Sequence, residues 1–544
     1  MPYPHYPVPM QCMSAFKLML TSGCSSTVAR KPLYYLLSVL FPPGLLFAQR
    51  VSYSSYINVH SPNTFQVIGK SGDYYWIEKE QNRKLTNRHG TSFLLENQSF
   101  AVFDDRLNFI KEIPALTIPG TIKEYLVAGK FSFDQLVLSG ANGKTKLFLN
   151  RYSANETQES NSRLLDSLPF SAPGTRFLLA RSEDLSKILF IGFEFRPEQS
   201  PRLHTILFDS DWKTLYHSFL EHPYFTQPCI QDDFISFPAE SFDNLPVKLA
   251  NNGEWLMASS SRTNANFLLF HINGDGKNFN YREIPLSPYF NMEDIAMSVD
   301  NEHQEMSVGL LSRYRNTSLK NVQVSHYSMA QNRFDFDSSY HFNTLASRLK
   351  NQNLSNESFI SIPGEGYMLF KEYGRLENPA DQPAPDIDQW DPVFLLANFA
   401  AKENSLSELT KNGYSQRKGL QGIRSVFDRG NLTMFYFPIK PEDSTWSGII
   451  TSEQTTELNS PSLSYLVFPV KSKVYIIYNS ILRSTDEFST ATTLNIRGEP
   501  TDDALIFWKM NRTLNFQESR RISTEEVAVP YVKNQQNGFA VVRL

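Results

Sequence analysis

Residues 465–479 read Tyr-Leu-Val-Phe-Pro-Val-Lys-Ser-Lys-Val-Tyr-Ile-Ile-Tyr-Asn, two runs of branched and aromatic side chains joined across a polar turn. Such side chains fit a pleated, half-buried surface better than a helix. Val474, Tyr475, Ile476, Ile477 and Tyr478 are apolar without a break and too few for a helix of ordinary length, so a buried strand is expected. Pro469 stands near the turn, where a missing N–H costs a sheet least.

Looser copies of this unit recur from residue 65 onward, with turns near residues 72, 143, 185, 253, 301, 365, 430 and 472. Asn251-Asn252-Gly253-Glu254 between two apolar runs is among the plainest, and Asp428-Arg429-Gly430 before Leu432 is read as another turn. Gly538 to Leu544 reads as a strand that pairs at the end of the chain. Strand clusters with scarcely any helix predict an all-β protein, and their spacing favours a β-propeller. Seven blades would average about 70 residues, more than the roughly 40–50 of compact blades, so long inserted loops are expected to hold the surplus. The alternative is two stacked β-sandwich or barrel domains. Closure of a propeller would pair an N-terminal strand such as Tyr53 to Val59 with the C-terminal one and remove the free edges.

Residues 1–49 differ from the rest. They hold Lys17, Arg30 and Lys31, no acidic residue, and an apolar stretch from Leu33 to Phe47 that ends at Ala48 and Gln49. A cationic flank, a short apolar run and a small residue predict a secretory signal peptide, preceded by a long or misassigned N-terminal extension. The stretch is short and broken by Pro42 and Pro43, which argues against a spanning helix. The β-propeller domain is then expected over residues 50–544, in an exported setting: secreted, periplasmic or at the cell surface. With three positive charges removed, the net charge moves from −4 to −7. No basic stripe serves nucleic acid, and no later stretch would form an integral membrane segment after signal cleavage. Cys229 is then the one cysteine left, so no internal disulfide is expected.

Ser182-Glu183-Asp184 and Asn251-Asn252-Gly253-Glu254 resemble the Ser-x-Asp-Gly-Lys turns of exported bacterial β-propeller proteins of the TolB and WD40-like kinds, although the first lacks Gly and the second lacks Asp. The resemblance implies a β-propeller in an extracytoplasmic bacterial protein and no particular activity.

Linear catalytic motifs fail on inspection. Gly140-Ala141-Asn142-Gly143-Lys144-Thr145 has the wrong glycine spacing for a phosphate loop and leads into Leu147-Phe148-Leu149, a strand. Ser347-Arg348-Leu349-Lys350 lacks the companion motifs of serine–lysine enzymes. His217 and His222 offer no strong metal geometry. The candidate site is the acidic loop around Trp390. There Asp386, Asp388 and Asp391 present hard oxygen ligands suited to calcium, and Trp390 beside Asp391 offers a flat face to a sugar ring. The plain reading of the same residues is a solvated loop. A secreted or envelope-associated binding or scaffold protein for a protein or glycan ligand is therefore expected, with no catalytic residue named. An exported hydrolase of glycans or peptides, its carboxylates drawn from separate blades, is the alternative.

Overall fold

The computed structural model describes residues 50–543 apart from short connections and the longer stretches 222–246, 344–353, 378–425 and 500–512. The signal peptide expected over residues 1–49 lies outside the described residues. Those described form eight antiparallel sheets, the blades of an all-β propeller.

Blade 1 holds Thr64–Ser71, Tyr74–Asn87, Gly90–Phe103 and Phe109–Pro114, and blade 2 Thr121–Ala128, Phe133–Ala141, Lys144–Tyr152 and Ser162–Leu168. Blade 3 is Thr175–Arg181, Lys187–Glu194, Arg202–Asp209 and Thr214–Glu221, and blade 4 is Val247–Leu249, Trp255–Ser260, Asn266–Ile272 and Phe279–Pro285. Phe290–Asp300, Glu305–Tyr314, Leu319–Ser328 and Arg333–Asn343 make blade 5. In blade 6, Leu354–Ile362, Gly366–Glu377 and Val426–Pro438 are followed by Trp446–Ile450 and Gln454–Glu457, both paired to the third strand. Blade 7 shows Tyr465–Val470, Lys473–Ile481 and Glu487–Asn495. Blade 8 joins the two ends of the described chain. Arg50–Tyr53 pairs with Gln536–Arg543, which pairs with Glu526–Lys533, which in turn carries Thr513–Leu514 and Arg520–Arg521.

The core is divided among the seams between blades. In Lys187–Glu194, Leu189, Ile191 and Phe193 pack toward blade 4, while Ile188 and Phe190 pack toward blade 2. Val474 and Ile476 likewise face blade 6, and Tyr475 and Ile477 face blade 8. A strand buried on both faces has no polar side to show, which is why these segments read as continuous apolar runs. Rim strands have one wet face and alternate, as Leu215, His217 and Phe219 do on the exposed side of Thr214–Glu221. One apolar cluster occupies each seam, and the cluster of Val67, Tyr75, Ile77, Ala528, Phe539 and Val541 joins blade 8 to blade 1. Each sheet shares its core with two neighbours, so the ring is one body and the two-domain alternative does not hold.

A single turn geometry accounts for most of the tight connections. At 104–108, 182–187, 209–213, 250–254, 273–278 and 495–499 the fourth residue's N–H donates to the first residue's carbonyl, and the first N–H donates to the carbonyl at the exit. The fourth residue takes a positive φ: Gly253, Gly276 and Gly498, but also Leu107, Leu185 and Trp212 at 63°, 58° and 60°. A left-handed non-glycine residue costs about 1 kcal/mol. Leu107 and Trp212 offset it by burying their side chains almost completely. Asp209 adds a cap, its Oδ1 accepting from the Asp211 and Lys213 N–H groups at 2.9 Å each.

Two expectations are corrected. The ring has eight blades, not about seven. Dividing the chain by a blade of about 70 residues folded the long connections 222–246 and 378–425 into the average. The other cause is blade 8, which is not contiguous in sequence. Its inner strand is split, and the gap falls opposite Val529 and Pro530, a residue with no N–H to give a partner. The turn expected at Asp428-Arg429-Gly430 lies inside the strand Val426–Pro438. Leu432 pairs with Glu372 and Arg429 with Gly374, so Gly430 and Asn431 oppose Tyr373 alone, and the glycine marks a bulge.

Candidate functional site

The up-and-down order of the strands sorts the connections to two ends of the ring. At one end lie the turns from first to second and from third to fourth strands, most of them short. At the other lie the second-to-third hairpins and the crossovers between blades, and there the described strands stop at Glu221 and Glu377 and resume at Val247 and Val426. The first strands of successive blades approach one another and line the axis, so the turns that follow them crowd the axial end.

These axial turns hold one another. The Asn251 N–H donates to Asn301 Oδ1 at 2.8 Å, Asn301 Nδ2 reaches across blade 4 to Glu183 Oε2 at 3.0 Å, and the Asp184 N–H donates to Asn251 Oδ1 at 3.3 Å. Lys187 Nζ caps the Asn251 carbonyl. Burial alone would raise the Asp184 carboxyl, but hydrogen bonds from Ser182 Oγ and the Ser186 N–H outweigh it and hold the group below the usual carboxylate range. Asp300 is lowered in the same way against its burial, by the His303 N–H and ring, and His303 is raised in return by Asp300. This end is a braced polar plate.

Asp386, Asp388, Trp390 and Asp391 fall in 378–425 and lie outside the described residues. What is described is the hairpin that carries them. Glu377 and Val426 are paired at its open end, and the strands continue in register through the bulge to Gly366 and Pro438.

A second cluster carries no linear motif. Asp166, His204 and His217 bring one ligand atom each to within 4.8 Å of one another at the rim between blades 2 and 3. His204 pairs with Phe219 and His217 with Ile206, so both imidazoles share the face of Ile206, which looks toward blade 2. Asp166 reaches that face through a bulge. It pairs with Leu147 while Leu164 pairs with Phe148, and the extra residue, Leu165, joins the same apolar seam. His204 Nε2 and His217 Nε2 are in direct contact, and His217 Nδ1 lies 3.9 Å from Asp166 Oδ2. The His204 ring stacks on Phe219, 4.5 Å between centroids and 6° from parallel. Burial first, then the neighbouring His217 and Arg202, push His204 down to about 3. Its imidazole is therefore neutral near pH 7. The histidine pair considered from sequence, His217 with His222, shares a chain segment, but the convergent partner is His204 across the hairpin. The available signal was that spacing across the Asp209 turn.

No protein-family model and no curated protein matches the chain. Among solved structures it is similar to the β-propeller domain of Nup133 from Vanderwaltozyma polyspora, at 9% identity over 90% of this chain and 100% of that one, TM-score 0.32. It is also similar to the β-propeller domain of the Trilobed protease from Pyrococcus furiosus, at 7% identity over 78% and 95%, TM-score 0.30. Prolyl oligopeptidase B from Galerina marginata overlaps 55% of this chain at 11% identity and TM-score 0.28, and the chain spans 37% of that enzyme's length. These likenesses are slight and concern shape alone. Among the described residues no helix is long and apolar enough to cross a membrane.

Proposed function

We propose that the protein is an exported binding or scaffold propeller, which holds a protein or glycan at the end of the ring where residues 378–425 are inserted. The observation that carries the reading is the asymmetry between the two ends. One is braced by short turns that bond to one another across blades, and the other receives the longer connections. Rigid scaffolds that present long loops at one end are the usual arrangement for recognition. In this reading Trp390 and Asp391 contact the ligand, and Asp386, Asp388 and Asp391 hold calcium through oxygen ligands.

The test is an exchange of residues 378–425 for a short glycine-containing turn between Glu377 and Val426, which are already paired in register. The intact chain should bind on a glycan array and melt at a higher temperature with calcium. The shortened chain should keep its sheet circular dichroism and lose both responses. Equal binding by the shortened chain, or no binding by the intact one, would end the proposal, and release of product from a bound glycan or peptide would replace it with a hydrolase.

A further inference from the structure

At the rim of the seam between blades 2 and 3, two imidazoles and a carboxylate arrive from three strands of two different sheets. We propose that Asp166, His204 and His217 bind a divalent transition metal of the zinc class, which ties the outermost strand of blade 2 to the two outer strands of blade 3. Two nitrogen donors and one carboxylate are the ligand set that such ions take, whereas calcium and magnesium want oxygen throughout. The site is therefore distinct in chemistry from the acidic loop around Trp390.

The surroundings are built for ligation rather than for solvation. His204 is fully buried, and its ring is held flat against Phe219, so the nitrogen that faces His217 cannot swing into water. His217 is 38% exposed and Asp166 28%, so one side of the cluster stays open to entry of an ion. Three protein ligands leave a further coordination position on that side for water. Both hairpin register and the Leu165 bulge fix where the three groups point, and neither depends on the ion. The contact between the two ring nitrogens, with the Asp166 carboxylate beside them, brings the three donors to a single point where a cation can be shared.

The measurement is metal uptake by the full chain after treatment with a chelator, compared with the His217→Gln and Asp166→Asn variants. Both positions are partly exposed, and each variant's melting curve in chelator reports whether it folds. The intact chain should take up one more equivalent of Zn2+ than either variant, and Co2+ in its place should give the visible absorption of a low-symmetry nitrogen–oxygen site. Each substitution should weaken that equivalent by at least the roughly 10–100-fold that disturbing a metal's outer shell costs. Saturating Zn2+ should raise the melting temperature of the intact chain and leave the variants unmoved, since only a folded seam assembles the site. Uptake identical in all three chains, or displacement of Zn2+ by equimolar Ca2+, would overturn the assignment. Neither result bears on the loop-exchange experiment, which reads a different end of the molecule.

Discussion

Trp212 is the residue whose removal tests the seam most directly. It sits in the turn of blade 3 at 2% exposure and donates its indole N–H to Asp134 Oδ2 of blade 2 at 2.8 Å. Asp134 is 1% exposed and also accepts from Ser132 Oγ at 2.7 Å and Arg151 Nε at 2.9 Å. Trp212→Phe keeps the left-handed backbone and its strain, so that term cancels. What is lost is a hydrogen bond to a charged acceptor, about 1.5–3 kcal/mol, and the packing of the missing ring atoms, about 1 kcal/mol. The expected cost is about 3 kcal/mol. Asp134→Ala strands the indole N–H and frees Arg151 to solvent, and should cost about as much. Because the two changes remove the same bond, the double variant should fall short of the sum by about 1.5 kcal/mol or more. Urea unfolding followed by far-ultraviolet circular dichroism reads all four chains on one scale. Additivity within about 0.5 kcal/mol would show that the contact contributes no coupling, and the account of how blades 2 and 3 adhere would fail.

Two other outcomes follow from particular atoms. A Cβ on Gly276 would lie 2.3 Å from the Tyr216 ring at a φ of +67°, whereas one on Gly72, at +56°, would meet nothing within 4 Å. Gly276→Ala should therefore cost about 3 kcal/mol and Gly72→Ala about 1, measured by urea unfolding, because only the first adds a clash to the backbone strain. At the closure, the hydrogen bond from Lys70, opposed by burial and aided by the charges of Lys70 and Arg543, holds Asp105 below its ordinary 3.8. A lowered carboxylate contributes stability above its unfolded value and loses it as pH falls through the folded one. The group is half exposed, so the contribution is about 0.5 kcal/mol. Melting curves of the intact chain and Asp105→Asn should differ at pH 6 and converge as pH falls below the ordinary 3.8 and through the lowered folded value, and a gap that widens in acid would contradict the assignment.

The all-β architecture was legible because strands buried on two faces leave unbroken apolar runs, and Val474 to Ile477 is as plain in the sequence as in the seam. The turns were only half legible. Glycine marks the left-handed position at 253, but Leu185 and Trp212 fill the equivalent place elsewhere, and Gly430 serves a bulge instead. That substitution explains the missing glycine at Ser182-Glu183-Asp184. The closure itself was legible, since a strand at Tyr53 was expected to pair with the C-terminal one, but the inner edge of blade 8 was hidden because Pro530 interrupts its pairing. The cluster at the rim was hidden in part. His204 and His217 are brought together by a hairpin, which their spacing across the Asp209 turn allows, but Asp166 arrives by a bulge in another sheet that no linear spacing marks.

Blade 8 also sets an order on biosynthesis. Of the described strands Arg50–Tyr53 is the first to emerge from the ribosome, yet its partner Gln536–Arg543 is the last of them to be made. Through nearly the whole of translation the growing polypeptide carries an unclosed arc whose leading edge has no mate. Its quality control must tolerate that open intermediate, and any premature stop before residue 536 would leave it open for good.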